Sequence, residues 1–551
     1  MRAERDVRVP MRDGVELALD LFLPDATGSH PALVAMSPYG KEMQTMPLAP
    51  QPVESSVHRR SIEAGDPQFL TDHGYAHIIA DVRGIGGSAG VYRGWMNRDE
   101  ASDGYDLIEW VAAQPWCNGR VGMVGVSYYG AIQLHVAATQ PPSLEAIMPW
   151  NAPADFYREA THHGGIRQAF FYIIYGIGVR GDSIVTARED MSDDDFAAVL
   201  ADLAADPDVS MYPDLYNSVR NPDRIPGYFD VLARPFDGPF YWDRSPYRSY
   251  GRISIPCYFN SYWWAYAHMH LRGAFQNYAG VDVPKKLRIG SRSSNAAPLP
   301  RSYDEEVVRW YDHWLKNDHN GIMDEPPIQL FIQGAGEFRD EHEWPLARTR
   351  WTPYYLRRWG GLETEPESTP KKPDCFVQQP PDETSAIAAV EYATRPFTKD
   401  TEVTGPLALT LYASIDSDDT NWIVAVADLD RTGQAVELSR GFLKASHREL
   451  DPDRSEEWLP YHPHTRAEPV PVDEVVEYRI ELSPMANVFR AGHRLRLSIM
   501  AADNPFNPGD EPELGFGHRP WHIVRATTAL HRVYHDTERP SRLLVPVIPS
   551  E

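Results

Sequence analysis

The chain has little cysteine: three in 551 residues, Cys117, Cys257 and Cys375. An odd, widely spaced trio supports neither a disulfide framework nor a zinc-ligand pattern. Long hydrophobic runs are also missing. No stretch of about 18 apolar residues occurs, so no membrane partner is expected. The opening residues MRAERDVRVPMRDG lack the apolar core of a secretory signal, and the expected compartment is the cytoplasm. Positive charge is scarce, with 53 basic residues against 78 acidic ones and a net charge of −25. Such a chain has no basic footprint to neutralise phosphates, which argues against nucleic acid as a partner. No internal repeat or low-complexity tract is present, and no cofactor is expected.

What remains is an ordinary globular composition, 42% hydrophobic and 24% charged. The length exceeds one core, so about two or three domains are expected. Aromatics are plentiful, with 15 Trp and 28 Tyr. Such residues line clefts and equally fill cores. From residue 1 to about 155, apolar runs such as PALVAMSPYG (31–40) and YAHIIADVRGIGGSAG (75–90) alternate with helical spacing such as DGYDLIEWVAAQPW (103–116). That alternation predicts a mainly parallel sheet covered on both faces. Residues 156–245 break the rhythm. Their stretch SDDDFAAVLADLAAD, with Ser192 ahead of an acidic first turn, predicts a helical insertion over the site. Strand signals return over 246–350. Beyond 351, a proline-rich connection precedes short alternating runs such as LALTLYAS and HRLRLSIMAA, which predict an all-β sandwich over 351–551.

The stretch VGMVGVSYYG (121–130) places Ser127 where a buried strand meets a helix. A nucleophile elbow has this setting. The serine sits in a strained turn with small neighbours, and the next backbone N–H faces the developing oxyanion at a helix N-terminus. The second glycine falls one place late, with Tyr129 where G-x-S-x-G carries glycine. The spacing alone is weak, and the flanking strand and helix strengthen it.

The motifs SPYGKE (37–42), ADVRGIGGSAG (80–90), DGYDLIEWVAAQPWCNGRVGMVGVSYYGAIQ (103–133), PPSLEAIMPW (141–150), RWYDHWLKND (309–318), PPIQLFIQGAGEFRDEHEWP (326–345), LSRGFLKASHR (438–448) and VFRAGHRLRLSIMAADNP (488–505) together resemble the CocE/NonD hydrolases. That family includes cocaine esterase-like and X-Pro dipeptidyl-peptidase-like enzymes. The resemblance covers nearly the whole chain. It implies an α/β fold: an α/β-hydrolase domain (1–155 and 246–350), a helical cap (156–245) and a C-terminal jelly-roll-like domain (351–551). It implies Ser127 as nucleophile, the Tyr39 hydroxyl as one oxyanion donor and the backbone of Tyr128 as the second. A homodimer is the assembly it implies.

The family's acid and base motifs are altered. Aligning IPCYFNSYWWAYAH (255–268) with the family's G-W-Y-D-G region puts Ala265 at the acid's position. Aligning LRIGSRSSNAAP (287–298) with the I-G-P-W-x-H region puts Ser294 at the histidine's position. A serine hydroxyl is a weak nucleophile without a base, so losing both partners points to a changed mechanism. His268, just past Ala265, is the candidate for a displaced base. Trp263, Trp264, His270 and His163 are candidate substrate contacts, and a packed or cleft-lining role is the alternative for each. His313 reads as structural, Asp282 and Asp304 match no family position, and His268 with His270 lacks a third ligand for a metal. The expected substrate is a small apolar or ring-bearing ester or amide. The competing expectation is a repurposed fold, using its oxyanion hole for a lyase, cyclase or isomerase step or only binding a ligand.

Overall fold

The structure, a computed structural model, describes residues 1–45, 63–168, 191–222, 226–263, 267–291, 301–369, 372–384, 386–503 and 522–549. The uninterrupted apolar runs become strands buried on both faces, β2 (Glu16–Leu23), β3 (His30–Ser37) and β4 (Ala76–Asp81), behind a charged and largely exposed edge strand β1 (Arg2–Pro10). β5 (Cys117–Met123) and β6 (Leu144–Ile147) follow. A small separate hairpin follows, β7 (His162–His163) with β8 (Ile166–Arg167). Then come β9 (Cys257–Tyr262), β10 (Lys285–Gly290), β11 (Ile328–Ile332) and β12 (Glu337–Glu341). The ten-stranded sheet runs β1-β2-β4-β3-β5-β6-β9-β10-β11-β12. Pairing is parallel from β4 through β11 and antiparallel only toward the two edges.

This order decides where a site can form. The chain leaves β3 toward β4 on one side and leaves β5 toward β6 on the other. Adjacent strands whose connections diverge open a crevice beyond their carboxyl ends. Tyr39 lies just past β3 and Ser127 just past β5, so both face that crevice.

Three helices alternate with strands β3 to β6: α1 (Pro67–Asp72), α2 (Arg98–Ala112) and α3 (Tyr128–Ala137). The apolar spacing marks α2 from about Asp103, but the helix begins five residues earlier. Asn97 and Glu100 form a reciprocal capping box there, and this fixes the start. Within residues 156–245, α4 (Asp193–Ala205) starts where expected, with Ser192 Oγ accepting from the Asp195 N–H at 3.1 Å. Past it lie α5 (Ala267–Gly280), which packs beside β9, and α6 (Arg301–Lys316). No helix among the described residues is long and apolar enough to cross a membrane.

From Arg350 onward, eleven strands among the described residues form a second sheet with its own core, including Leu407, Leu409, Trp422, Ile480 and Leu497. The expected β-rich domain is present, and its sheet closes on itself. The long strand β13 (Thr401–Ile415) pairs with β14 (Val476–Phe489) and also with β15 (Arg542–Ile548), the strand at the far end of the order. Nine strands close into the ring, which removes their edges, and the strands Ala529–Tyr534 and Asp374–Gln378 branch from β13 outside it. The two units are joined by backbone, because Gln333 N–H donates to Ala486 O at 3.0 Å and Val488 N–H to Gln333 O at 2.8 Å.

Candidate active site

Ser127 is held at φ 59° and ψ −114°, the residue that caps α3. A β-carbon in this left-handed region is strained, and such strain persists only where surroundings impose it. Here they do. Ser127 N–H donates to Trp150 O at 2.9 Å, and Ser127 O accepts from Gly130 and Ala131 at 3.0 and 2.9 Å. The late glycine is now explained. A β-carbon on Gly130 would lie 2.5 Å from Trp150 O, so the glycine lets α3 approach the strand extension that anchors Ser127. At the usual glycine position stands Tyr129, buried, and its β-carbon lies 2.4 Å from where one on Gly125 would fall. Gly125, at φ +130°, is therefore the partner that makes room for Tyr129.

No side chain caps α3, so helix geometry presents its first N–H groups, that of Tyr128 foremost, beside the serine. The Tyr128 side chain is wholly buried and has a separate task. Its hydroxyl donates to Glu100 at 2.7 Å and accepts from the Met96 N–H at 2.9 Å, which pins the elbow to the start of α2. Burial pushes the Glu100 carboxyl up to about 8, although the Tyr128 hydroxyl and the Asn97 N–H oppose the shift. This anchor was missed in the sequence. The Asn-x-x-Glu capping signal at 97–100 was the available clue.

Tyr39 is half-buried after β3, with its ring edge-on to the Tyr128 ring at 5.6 Å. Its N–H donates to Ser37 Oγ at 3.1 Å. The loop is clamped by Asp81, which accepts from the Lys41 N–H at 2.7 Å and the Gly87 N–H at 3.0 Å. Two glycine-bearing loops, SPYGKE and VRGIGG, thus share one carboxylate. Burial raises the Asp81 carboxyl to about 6.

The structure brings His270 to the serine. Its Nε2 lies 3.5 Å from Ser127 Oγ, the long separation common before substrate tightens a site. His270 is buried on α5, and that burial drives its imidazole down to about 3, so the ring is neutral at physiological pH. A residue expected as a substrate contact is therefore the imidazole found within reach of the serine hydroxyl. The expected base, His268, lies on the same helix, but its side chain is outside the described residues, as are Trp264, Ala265 and Ser294.

The other two expected substrate contacts are engaged within the protein. Trp263 is 1% exposed, donates its indole N–H to Phe331 O at 2.5 Å and lies against Phe275 in the main core. His163 is also buried. Its Nε2 donates to Glu159 O at 2.8 Å and its Nδ1 meets His522 Nε2 at 2.8 Å. His522 in turn meets Asp503 at 2.7 Å, so His163 fastens β7 to the C-terminal domain. These contacts pack Trp263 into the core and tie His163 to the C-terminal domain. Among the described residues no group of three or more His, Cys, Asp or Glu side chains is arranged to hold a metal ion.

The family model of the X-Pro dipeptidyl-peptidase (S15 family) matches residues 13–293. The chain belongs to this family. The model of the family's C-terminal non-catalytic domain matches residues 320–544. Among relatives, a cocaine esterase of Rhodococcus sp. is 26% identical, covering 98% of each chain. A putative serine esterase of Mycobacterium bovis is 25% identical over 98% of this chain and 94% of its own. The crystal structure of a CocE/NonD family hydrolase from Staphylococcus aureus superposes with a TM-score of 0.80 at 26% identity, covering 99% of this chain and 94% of that one. The family is one of hydrolases, esterases and peptidases, and the two-unit architecture of this chain is the family's.

Proposed function

We propose that this protein is a serine acyl hydrolase acting on a small ester or amide, with His270 in place of the family's histidine. The observation that carries the reading is the approach of His270 Nε2 to the oxygen of a serine on a strained elbow. In this reading the neutral imidazole takes the Ser127 proton as Oγ attacks the substrate carbonyl. The charge that develops on the carbonyl oxygen is met by the Tyr128 N–H and the Tyr39 hydroxyl. The imidazolium then returns its proton to the leaving alcohol or amine, giving an acyl-serine. Water attacks that ester by the same route in reverse.

The burial that keeps His270 neutral also makes its cation costly. The reading therefore expects a slow enzyme, limited by proton transfer rather than by binding. The esterase names of two family relatives support the ester class. The test is hydrolysis of p-nitrophenyl acetate by the full chain, with active-site labelling by a fluorophosphonate. Ser127→Ala is expected to abolish both, and His270→Gln to reduce both by at least about 100-fold. Full activity in His270→Gln overturns the assignment of the base. Full activity in Ser127→Ala overturns the serine mechanism.

A further inference from the structure

The 3.5 Å approach of His270 to Ser127 is set by parts of the molecule that touch neither residue's reacting atom. Ser127 is registered against the segment that begins at Trp150, through Ser127 N–H to Trp150 O. Helix α5 is registered against the same segment a few residues on. Asn277 Nδ2 donates to Ala152 O at 2.9 Å, and Tyr250 holds the Asn277 amide from the other side at 2.6 Å. A β-carbon on Gly273 would lie 2.5 Å from Ala152 O and 2.5 Å from Glu159 Oε2, so the helix seats on this segment at its glycine. Glu159 stiffens the segment itself, accepting from the Ala154 and Asp155 N–H groups at 3.2 Å each.

Arg272 closes the arrangement from behind. It stands two residues after His270, so it projects about 200° away around the helix, from the face opposite the base. Its Nε donates to Glu481 Oε1 at 2.9 Å, its Nη1 to Gln276 Oε1 at 2.5 Å, and Nη1 lies 3.4 Å from Glu159 Oε1. Glu481 belongs to β14 of the C-terminal domain. The guanidinium thus ties three things together: the helix that carries His270, the segment that registers Ser127, and a strand of the other domain. A planar fork does this with fixed geometry, where a lysine ammonium reaches as a single point.

We propose that Arg272 is the positioning residue for His270, and that through Glu481 the C-terminal domain sets the distance between base and nucleophile. The inference rests on the reading of His270 as the base. It gives the C-terminal domain, whose family model is named non-catalytic, a part in the reaction. An Arg272 variant leaves the substrate-facing groups in place and loosens only the helix, so it lowers turnover and spares substrate binding.

The test uses the full chain and p-nitrophenyl acetate. Arg272→Met is expected to lower kcat about 10- to 100-fold with KM within about twofold, since a misplacement of about 1 Å costs that much in a positioned reaction. Arg272→Lys is expected to recover part of the loss. Glu481→Gln, which removes one charge from a partly exposed side chain, is expected to lower kcat in the same direction, and thermal melting of each variant reports whether it is folded. In a His270→Gln background, Arg272→Met is expected to have no further effect, because its action passes through the missing imidazole. Unchanged kcat in folded Arg272→Met and Glu481→Gln, with His270→Gln impaired, overturns this inference alone. An Arg272 effect that persists undiminished in the His270→Gln background also overturns it. Unchanged activity in His270→Gln overturns the base assignment and this inference with it.

Discussion

Lowering the pH tests the environment of the candidate base directly. Burial holds His270 at about 3, against about 6.5 for a solvated imidazole. The reacting form is the neutral ring, so activity falls as pH drops through the folded-state value and not before. At pH 5, an imidazole of pKa 6.5 is only about 3% neutral, and one near 3 is about 99% neutral. kcat/KM for p-nitrophenyl acetate is therefore expected to change by less than about twofold between pH 8 and pH 5, where an ordinary serine–histidine pair loses about 30-fold. Initial rates with the Ser127→Ala background subtracted, read at the isosbestic wavelength of p-nitrophenol, give the profile. Circular dichroism at each pH confirms that the fold persists.

Stability across this window is set by opposing groups. Burial depresses His77, His135, His447 and His531 as it does His270, in their case to about 4. The unfolded chain binds their protons first, so they cost stability as pH falls below about 6.5. Glu63 and Glu159, raised like Glu100 to about 8 by burial, act in the opposite sense. Their contribution is lost as pH rises through 8 and is fully present below about 4.5. An acid limb with its midpoint near 6.5 in a folded protein would refute the buried, neutral base.

Two further outcomes follow from the elbow and the oxyanion site. Gly130→Ala puts a methyl group 2.5 Å from Trp150 O. It is expected to cost about 1–3 kcal/mol in urea unfolding and to lower kcat, because α3 must retreat from the carbonyl that anchors Ser127. Wild-type stability in Gly130→Ala would show that the approach is not constraining. Tyr39→Phe removes the proposed oxyanion donor and is expected to lower kcat about 100- to 1000-fold with little change in KM. A change confined to KM would assign Tyr39 to substrate binding.

Much of the architecture is local and therefore legible. Fully apolar runs must be covered on both faces, which predicts the parallel sheet before any coordinate is known. The glycines around Ser127 mark a turn that only a narrow range of backbone angles can make. The site was harder to read. His268 and His270 look alike in sequence, and residues two apart on a helix project about 200° apart. The rotation of α5 brings His270 to the serine, and that rotation is fixed by Gly273, Asn277 and Arg272 against Ala152, Glu159 and Glu481. Trp263 reads as a cleft aromatic until Phe331 O and Phe275 surround it.

By itself the sequence determined the fold class and the elbow, because short-range backbone sterics and apolar patterning act within a few residues of chain. The tertiary structure alone showed that His270 Nε2 reaches Ser127 Oγ and why the second glycine comes late. Both depend on segments hundreds of residues apart, or crossing at an angle, whose contacts leave no period in the sequence.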